Sequence, residues 1–369
     1  MVYPCLNSTN LIVPQKTVEY YYKFITDKRE FMEYRYIGRS GLRVSPICMG
    51  TMTFASQCDE KEAFAIMDKA YDAGVNFFDT AELYPVPPEA KLAGMTEEIV
   101  GRWLKTKPRE SIILASKVAG AASGWFVPPI RHGLTACDRF HIERAVEGSL
   151  KRLGTDYLDL YQMHWPDSIV PIEETMRAFD ALVQSGKVRY IGTSNDTARG
   201  TMKSLMVSKY EKLTRFESIQ NNFSLLNRRD LTEIGALCRE EKISLLPYSP
   251  LGGGVLSGKY NQDINTQGRF SDYVKSSNKR QRLMASRFLN DKTLASTQEY
   301  LRIAHEAGLH PVTMAIAWSK QFDFVASTII GATAAEQLDT SLAAMDVTLS
   351  SETLQKLDEV HAKILYPMG

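Results

Sequence analysis

The chain has 369 residues, 44% of them hydrophobic, and its 44 Lys and Arg against 43 Asp and Glu leave a formal charge of +1. A balance this close to neutral excludes the electrostatic footprint of a nucleic-acid binder or a polybasic membrane-surface protein. No apolar run approaches the roughly 20 residues of a membrane span, so membrane insertion is not expected. Five scattered cysteines (Cys5, Cys48, Cys58, Cys137, Cys238) without C-x-x-C or Cys/His ligand spacing predict reduced thiols, no metal site and a cytoplasmic protein.

Residues 1–31 sustain neither a period of 2 nor one of 3.6 and read as an N-terminal extension, ahead of one domain over 32–369. From Tyr34 the pattern becomes regular: EYRYIG and LRVSP flank RSG and predict a small hairpin. Eight short runs of strand-forming residues follow, at 47–49, 76–79, 112–117, 158–164, 188–194, 218–221, 244–248 and 324–330. Between them lie helical patterns such as EKEAFAIMDKAYDAG, TEEIVGRWLK, ERAVEGSLKRLG and IEETMRAFDALVQSG, several ending in a capping glycine (Gly74, Gly154, Gly186).

Strands too apolar to be half solvated, alternating with helices, predict a parallel sheet covered on its outer face. Closure into a (β/α)8 TIM barrel, an α/β fold with an N-terminal β-hairpin, is the economical reading. A doubly wound sheet would call for G-x-G-x-x-G after the first strand, whereas Gly252, Gly253 and Gly254 follow the seventh. Two long irregular connections are expected, at 118–138, with Trp125, Phe126, Pro128 and Pro129, and at 249 to about 291. In a barrel both lie on the C-terminal face, where such enzymes carry their chemistry.

Asp79, Lys117 and His164 end the second, third and fourth runs, so their side chains should converge at one mouth, and Tyr84 is five residues beyond Asp79 in DTAELY. A tyrosine hydroxyl is a poor acid at neutral pH unless its anion is stabilised, which an adjacent Lys117 would do. That ammonium would lose its charge on burial unless a carboxylate, Asp79, held it. A neutral His164 could hydrogen-bond a carbonyl oxygen. Each residue also has an ordinary reading: a cap for Asp79, the rim for Lys117, a core histidine for His164, loop packing for Tyr84. Together, at the ends of consecutive strands, they read as a pre-organised acid site.

These residues sit in motifs that resemble the aldo-keto reductase family: AGVNFFDTAELY, IILASKV, LDLYQMHWPD, KVRYIGTSN, IQNNFSLLNR, LPYSPLGGGVLSGKY and STIIGATAAEQL, over essentially 33–369. The similarity looks closest to Tas-type bacterial reductases and, more distantly, potassium-channel β subunits. The resemblance implies Tyr84 as proton donor, Lys117 and Asp79 tuning it, His164 positioning the carbonyl, and NADPH delivering hydride. It assigns the carboxamide of the cofactor to Ser194, Asn195 and Gln220, and the face of its ring to Tyr248. Thr51 is a further expected contact, with Ser249, Pro250, Leu251, Gly253, Lys259 and Arg269 toward the phosphates and Gly331, Thr333 and Gln337 at the adenosine end. There the best-known reductases carry Lys and Arg, and this chain carries neither cation.

The expected function is NADPH-dependent reduction of aldehydes or ketones. The alternative is an NADPH-sensing accessory protein like the channel β subunits, which place Asn where this chain has His164; a third is an aldolase using Lys117 as a Schiff base. The partner expected is a small carbonyl substrate, and homo-oligomerisation stays open.

Overall fold

A computed structural model describes residues 33–123, 134–263, 266 and 268–368. The N-terminal extension and Trp125, Phe126, Pro128 and Pro129 therefore lie outside the described residues. Eight parallel strands form one sheet: β1 Ile47–Gly50, β2 Phe77–Asp79, β3 Ile113–Val118, β4 Leu158–Met163, β5 Val188–Ser194, β6 Phe216–Gln220, β7 Ser244–Leu245 and β8 Thr328–Ile330. The neighbour order β7-β6-β5-β4-β3-β2-β1-β8 leaves β7 and β8 at the two ends. Parallel bridges Leu245–Val325 and Tyr248–Ile329 join those ends, with Leu245 N–H donating to Phe324 O and Ile329 N–H to Pro247 O at 2.8 Å. The barrel is thereby closed, as the alternating strand and helix pattern predicted.

Along the strands, side chains alternate between the barrel interior and the helical layer. Phe77, Ala115 and Leu160 pack together inside the barrel with Cys48, Leu246 and Ala326. Ile37, Leu42 and Val44 of the antiparallel hairpin Arg35–Tyr36/Arg43–Val44 belong to the same cluster. The hairpin fits there because its apolar residues continue the interior while its backbone is anchored from outside: Gly38 N–H donates to Ser244 Oγ and Arg39 N–H to Glu217 Oε2, both at 2.8 Å.

The opposite strand faces bury Phe78, Leu114, Val118 and Tyr161 against the helices. These include α1 Glu60–Asp72, α2 Met95–Leu104, α3 Arg139–Leu153, α4 Ile172–Gln184, α5 Ala198–Glu211 and α6 Glu233–Glu241. The expected glycines end α1, α3 and α4 with φ of 95°, 64° and 75° at Gly74, Gly154 and Gly186.

The connection after β7 differs from the expectation of irregular chain. It carries a 3₁₀ segment, Gly252–Ser257, then helices α7 Lys259–Gln262, α8 Arg269–Lys275 and α9 Lys279–Phe288. They escape a periodicity reading because they are short and polar; α9 (KRQRLMASRF) buries only Ala285. The remaining helices are α10 Asp291–Glu306, α11 Pro311–Lys320, α12 Leu338–Leu342 and α13 Ser351–Lys363.

Trp103 of α2 is fully buried, lies 4.8 Å from Phe78 between ring centroids, and donates its indole N–H to Asp68 Oδ1 at 2.8 Å. Trp103→Ala is expected to lower stability by about 3–5 kcal/mol, seen as a lower urea midpoint at unchanged slope. A midpoint like the wild type would show that α2 does not depend on this contact.

Candidate active site

Strand alternation builds the mouth of the barrel from the layer below it. Phe77, Ala115 and Leu160 are followed two residues later by Asp79, Lys117 and Gln162, and His164 comes two residues after Gln162. Ala115 pairs with Asp79 and Leu160, and Lys117 with Gln162, so the polar side chains form the next layer up. The turn from Thr80 to Tyr84 folds back over this layer, with Thr80 N–H on Ala115 O at 2.9 Å and Glu82 N–H on Lys117 O at 3.3 Å.

The Lys117 ammonium is fully buried and donates to Asp79 Oδ2 (2.5 Å), Thr80 O (2.8 Å) and Tyr84 Oη (3.2 Å). Its three protons thus have three partners. The other carboxylate oxygen of Asp79 accepts from Gln220 Nε2 at 2.9 Å and Gln162 Nε2 at 3.2 Å. Burial pushes Lys117 toward neutrality, but the Asp79 carboxylate and Tyr84 outweigh it and raise its pKa. Burial likewise raises the Tyr84 hydroxyl; Lys117 pulls it down without cancelling the rise.

The His164 ring meets Tyr84 edge to face, with centroids 5.6 Å apart. Burial first, and then the Lys117 charge, push its pKa far below the usual histidine value. The imidazole is neutral at pH 7, and no hydrogen bond from the described residues reaches its Nδ1. Trp165 lies beside it at 5.1 Å and packs with Tyr84, Met52, Val86 and Ala119, giving the opening an apolar wall.

The structure brings Ser194, Asn195, Gln220 and Tyr248 together at the same mouth. Asn195, in the left-handed region at φ 52°, donates to His164 O (2.8 Å) and accepts from Tyr248 Oη (2.7 Å); Ser194 Oγ donates to Gln220 O (2.7 Å). Burial raises the Tyr248 hydroxyl to about 12. Thr51 is fully buried, and its hydroxyl and N–H both donate to Asp79 O at 3.0 Å, so it fastens β1 to β2.

After β7, Ser249 O accepts from Gly252 N–H, Pro250 is buried and Leu251 packs on the main core. Gly253 adopts φ 64°, and a Cβ there would meet the Phe270 ring at 2.3 Å; no other residue type fits this bend. The Lys259 ammonium lies against Gly268, the residue before Arg269. Burial and then the Arg269 charge lower the pKa of Lys259, and burial lowers that of Arg269, whose Nε has no hydrogen-bond partner among the described residues. Gly331 faces open space, while Thr333 and Gln337 hydrogen-bond each other, with Thr333 N–H on Gln337 Oε1 at 3.0 Å.

Gln162 is absent from the sequence-derived site, although counting back from His164 by the strand period would have reached it. Among the described residues no cluster of three His, Cys, Asp or Glu side chains could hold a metal, no helix is long and apolar enough to cross a membrane, and Cys48, Cys58, Cys137 and Cys238 are free thiols.

The closed (β/α)8 barrel, with its buried Lys–Asp pair and tyrosine at the C-terminal mouth, is that of an oxidoreductase by its family: the chain belongs to the aldo/keto reductase family, whose model matches residues 46–362. Protein tas of Escherichia coli (strain K12) is 38% identical over 360 residues, covering 91% of this chain and 99% of that protein. The uncharacterized oxidoreductase YrpG of Bacillus subtilis (strain 168) is 35% identical, with 89% and 96% covered. A probable voltage-gated potassium channel subunit beta of Oryza sativa subsp. japonica is also 35% identical, over 89% and 96%.

The lowered pKa of His164 has a stability consequence. Below the unfolded value near 6.5 the unfolded chain takes up a proton that the folded chain does not, so stability falls as pH drops from there toward the folded pKa. His164→Asn is expected to lose that slope, worth up to about 1.4 kcal/mol per pH unit, in urea titrations compared at pH 7.5 and 5.5. Parallel wild-type and variant curves would show that His164 protonates in the folded state.

Proposed function

We propose that this protein reduces aldehydes or ketones to alcohols, and oxidises alcohols in reverse, with NADPH as hydride source and Tyr84 as general acid. The observation that carries this reading is the fully buried Lys117 ammonium, shared between the Asp79 carboxylate and the Tyr84 hydroxyl, beside a neutral His164.

A dinucleotide fits the remaining residues. Lys259 and Arg269 are desolvated cations beside a Gly253–Gly254 bend whose backbone can approach phosphate oxygens. Ser194, Asn195 and Gln220 offer amide-matching donors and acceptors, and Tyr248 offers a ring face. When bound, the cofactor supplies the hydride.

The protein supplies the proton and the charge environment. A tyrosine holds its proton at neutral pH and burial only raises the Tyr84 pKa further, so the acid is loaded before reaction. As a carbonyl oxygen gains negative charge the proton leaves Tyr84, and Lys117, 3.2 Å away, stabilises the phenolate left behind. Asp79 keeps Lys117 charged. A neutral His164 donates one hydrogen bond to the carbonyl oxygen without competing as an acid. Trp165, Met52 and Val86 favour a substrate with an apolar body. His164 also favours turnover over a purely sensing role.

Tyr84→Phe is expected to lower kcat by about 100-fold or more while NADPH still quenches tryptophan fluorescence with a near wild-type Kd. Unchanged turnover on a panel of simple aldehydes would remove the acid assignment. Arg269→Ala is expected to weaken NADPH and NADH by about 10-fold or more, the usual cost of losing a charged hydrogen-bond partner. Equal Kd values would take the loop after β7 out of cofactor binding.

A further inference from the structure

Behind the mouth lies a second buried polar group that the proposed chemistry leaves unused. Glu82 is two residues before Tyr84, and its residue is only 7% exposed. Its Oε1 accepts the Ala119 N–H at 2.6 Å, two residues past Lys117. Its own N–H donates to Lys117 O at 3.3 Å. The turn carrying Tyr84 is therefore stapled to the strand end carrying Lys117 at two points, the lysine's own carbonyl and the N–H two residues beyond it. From the helical layer, the fully buried His141 of α3 sets its Nε2 3.3 Å from the same Glu82 oxygen, without a hydrogen bond to it among the described residues. The backbone N–H of His141 donates to Asp138 Oδ1 at the α3 N-cap, at 2.9 Å.

A buried carboxylate is costly to place, and a turn of four residues could close without one. What Glu82 adds is a fixed offset between the two segments that hold the Tyr84 hydroxyl and the Lys117 ammonium. We propose that Glu82 is a positioning residue for Tyr84, setting the hydroxyl-to-ammonium distance on which the acid depends. This rests on the reading of Tyr84 as the acid. Misplacement of a reacting group by about 1 Å costs on the order of 100-fold in rate, so the reach of the side chain matters more than its charge.

The test uses the full chain, with kcat for aldehyde reduction, Kd for NADPH by fluorescence quenching, and thermal unfolding for each variant. Glu82→Ala and Glu82→Asp, which remove or shorten the reach to Ala119, are expected to lower kcat by about 10- to 100-fold with NADPH affinity within about twofold. Glu82→Gln keeps an oxygen for the Ala119 N–H and is expected to restore turnover to within about threefold of the wild type. Because Glu82 acts through Tyr84, Glu82→Ala in a Tyr84→Phe background is expected to cost nothing further. An additive loss there, or normal turnover in folded Glu82→Asp beside an impaired Tyr84→Phe, overturns the inference alone. Normal turnover in Tyr84→Phe overturns the acid assignment and this inference with it. Should Glu82→Ala not fold, the Asp and Gln variants carry the same comparison.

Discussion

The arrangement at the mouth depends on one buried charge. An ammonium with no solvent exposure survives only where its proton donors are all used and an anion stands beside it. Lys117 meets both conditions through Asp79, Thr80 O and Tyr84. Asp79 in turn has one oxygen on Lys117 and the other on Gln162 and Gln220, so four strands contribute to the stability of a single ion pair. Removing one partner of such a pair costs about 3–5 kcal/mol because the other charge is left uncompensated. The pair is thus a constraint on strand register as much as a chemical feature: a slip of one residue in β2 or β3 would turn Asp79 or Lys117 into the helical layer.

That constraint works because of what lies under it. Phe77, Ala115 and Leu160, capped from below by Ile37, Leu42 and Val44 of the hairpin, leave no room for bulk water beneath the polar layer. In such a medium each hydrogen bond and each charge acts more strongly than at a surface. The same strands carry polar groups on their outer face as well: Ser116 Oγ donates to Glu97 Oε1 at 2.5 Å, and Arg152 Nε to Glu97 Oε2 at 2.7 Å. Lys117 points inward from a strand whose flanking residue is itself tied to helices α2 and α3, so the helical layer helps to hold the strand end that presents the ammonium.

How much of this was legible in the sequence follows from the range of each interaction. The barrel strands could be read because apolar runs and capping glycines are local signals, and Asp79, Lys117 and His164 stood out because they end such runs. Gln162 was missed although it shares the phase of His164, since an amide inside an apolar run carries no chemistry by itself. Glu82 and His141 were missed for a different reason: their meeting is set by how α3 packs behind β3, which no periodicity encodes. Of the helices after β7, α8 was hidden by its length of 7 residues, under two full turns, and α9 by its polarity, which leaves only Ala285 buried. One electrostatic expectation also needed the structure. Proximity of Lys117 suggested a lowered Tyr84 pKa, yet burial of the phenol outweighs the lysine, and the balance depends on exposure that spacing cannot supply.

The two ends of the cofactor groove in the proposed reading differ in the same physical sense. Beside β7, Lys259 and Arg269 are held in surroundings that disfavour their charge, and the Arg269 charge adds to the burden on Lys259. In that reading an anion bound between them would offset the lost solvation of both cations, so phosphate oxygens would be drawn to this loop. At the other end Thr333 and Gln337 are neutral and bonded to each other, and the carboxylate of Glu62 accepts the Ala335 N–H at 2.6 Å. A carboxylate there opposes a second phosphate rather than attracting one. In that reading the segment from Gly331 to Gln337 would bring no cation to favour NADPH over NADH, while Lys259 and Arg269, toward the phosphates that both cofactors share, would bind the two alike.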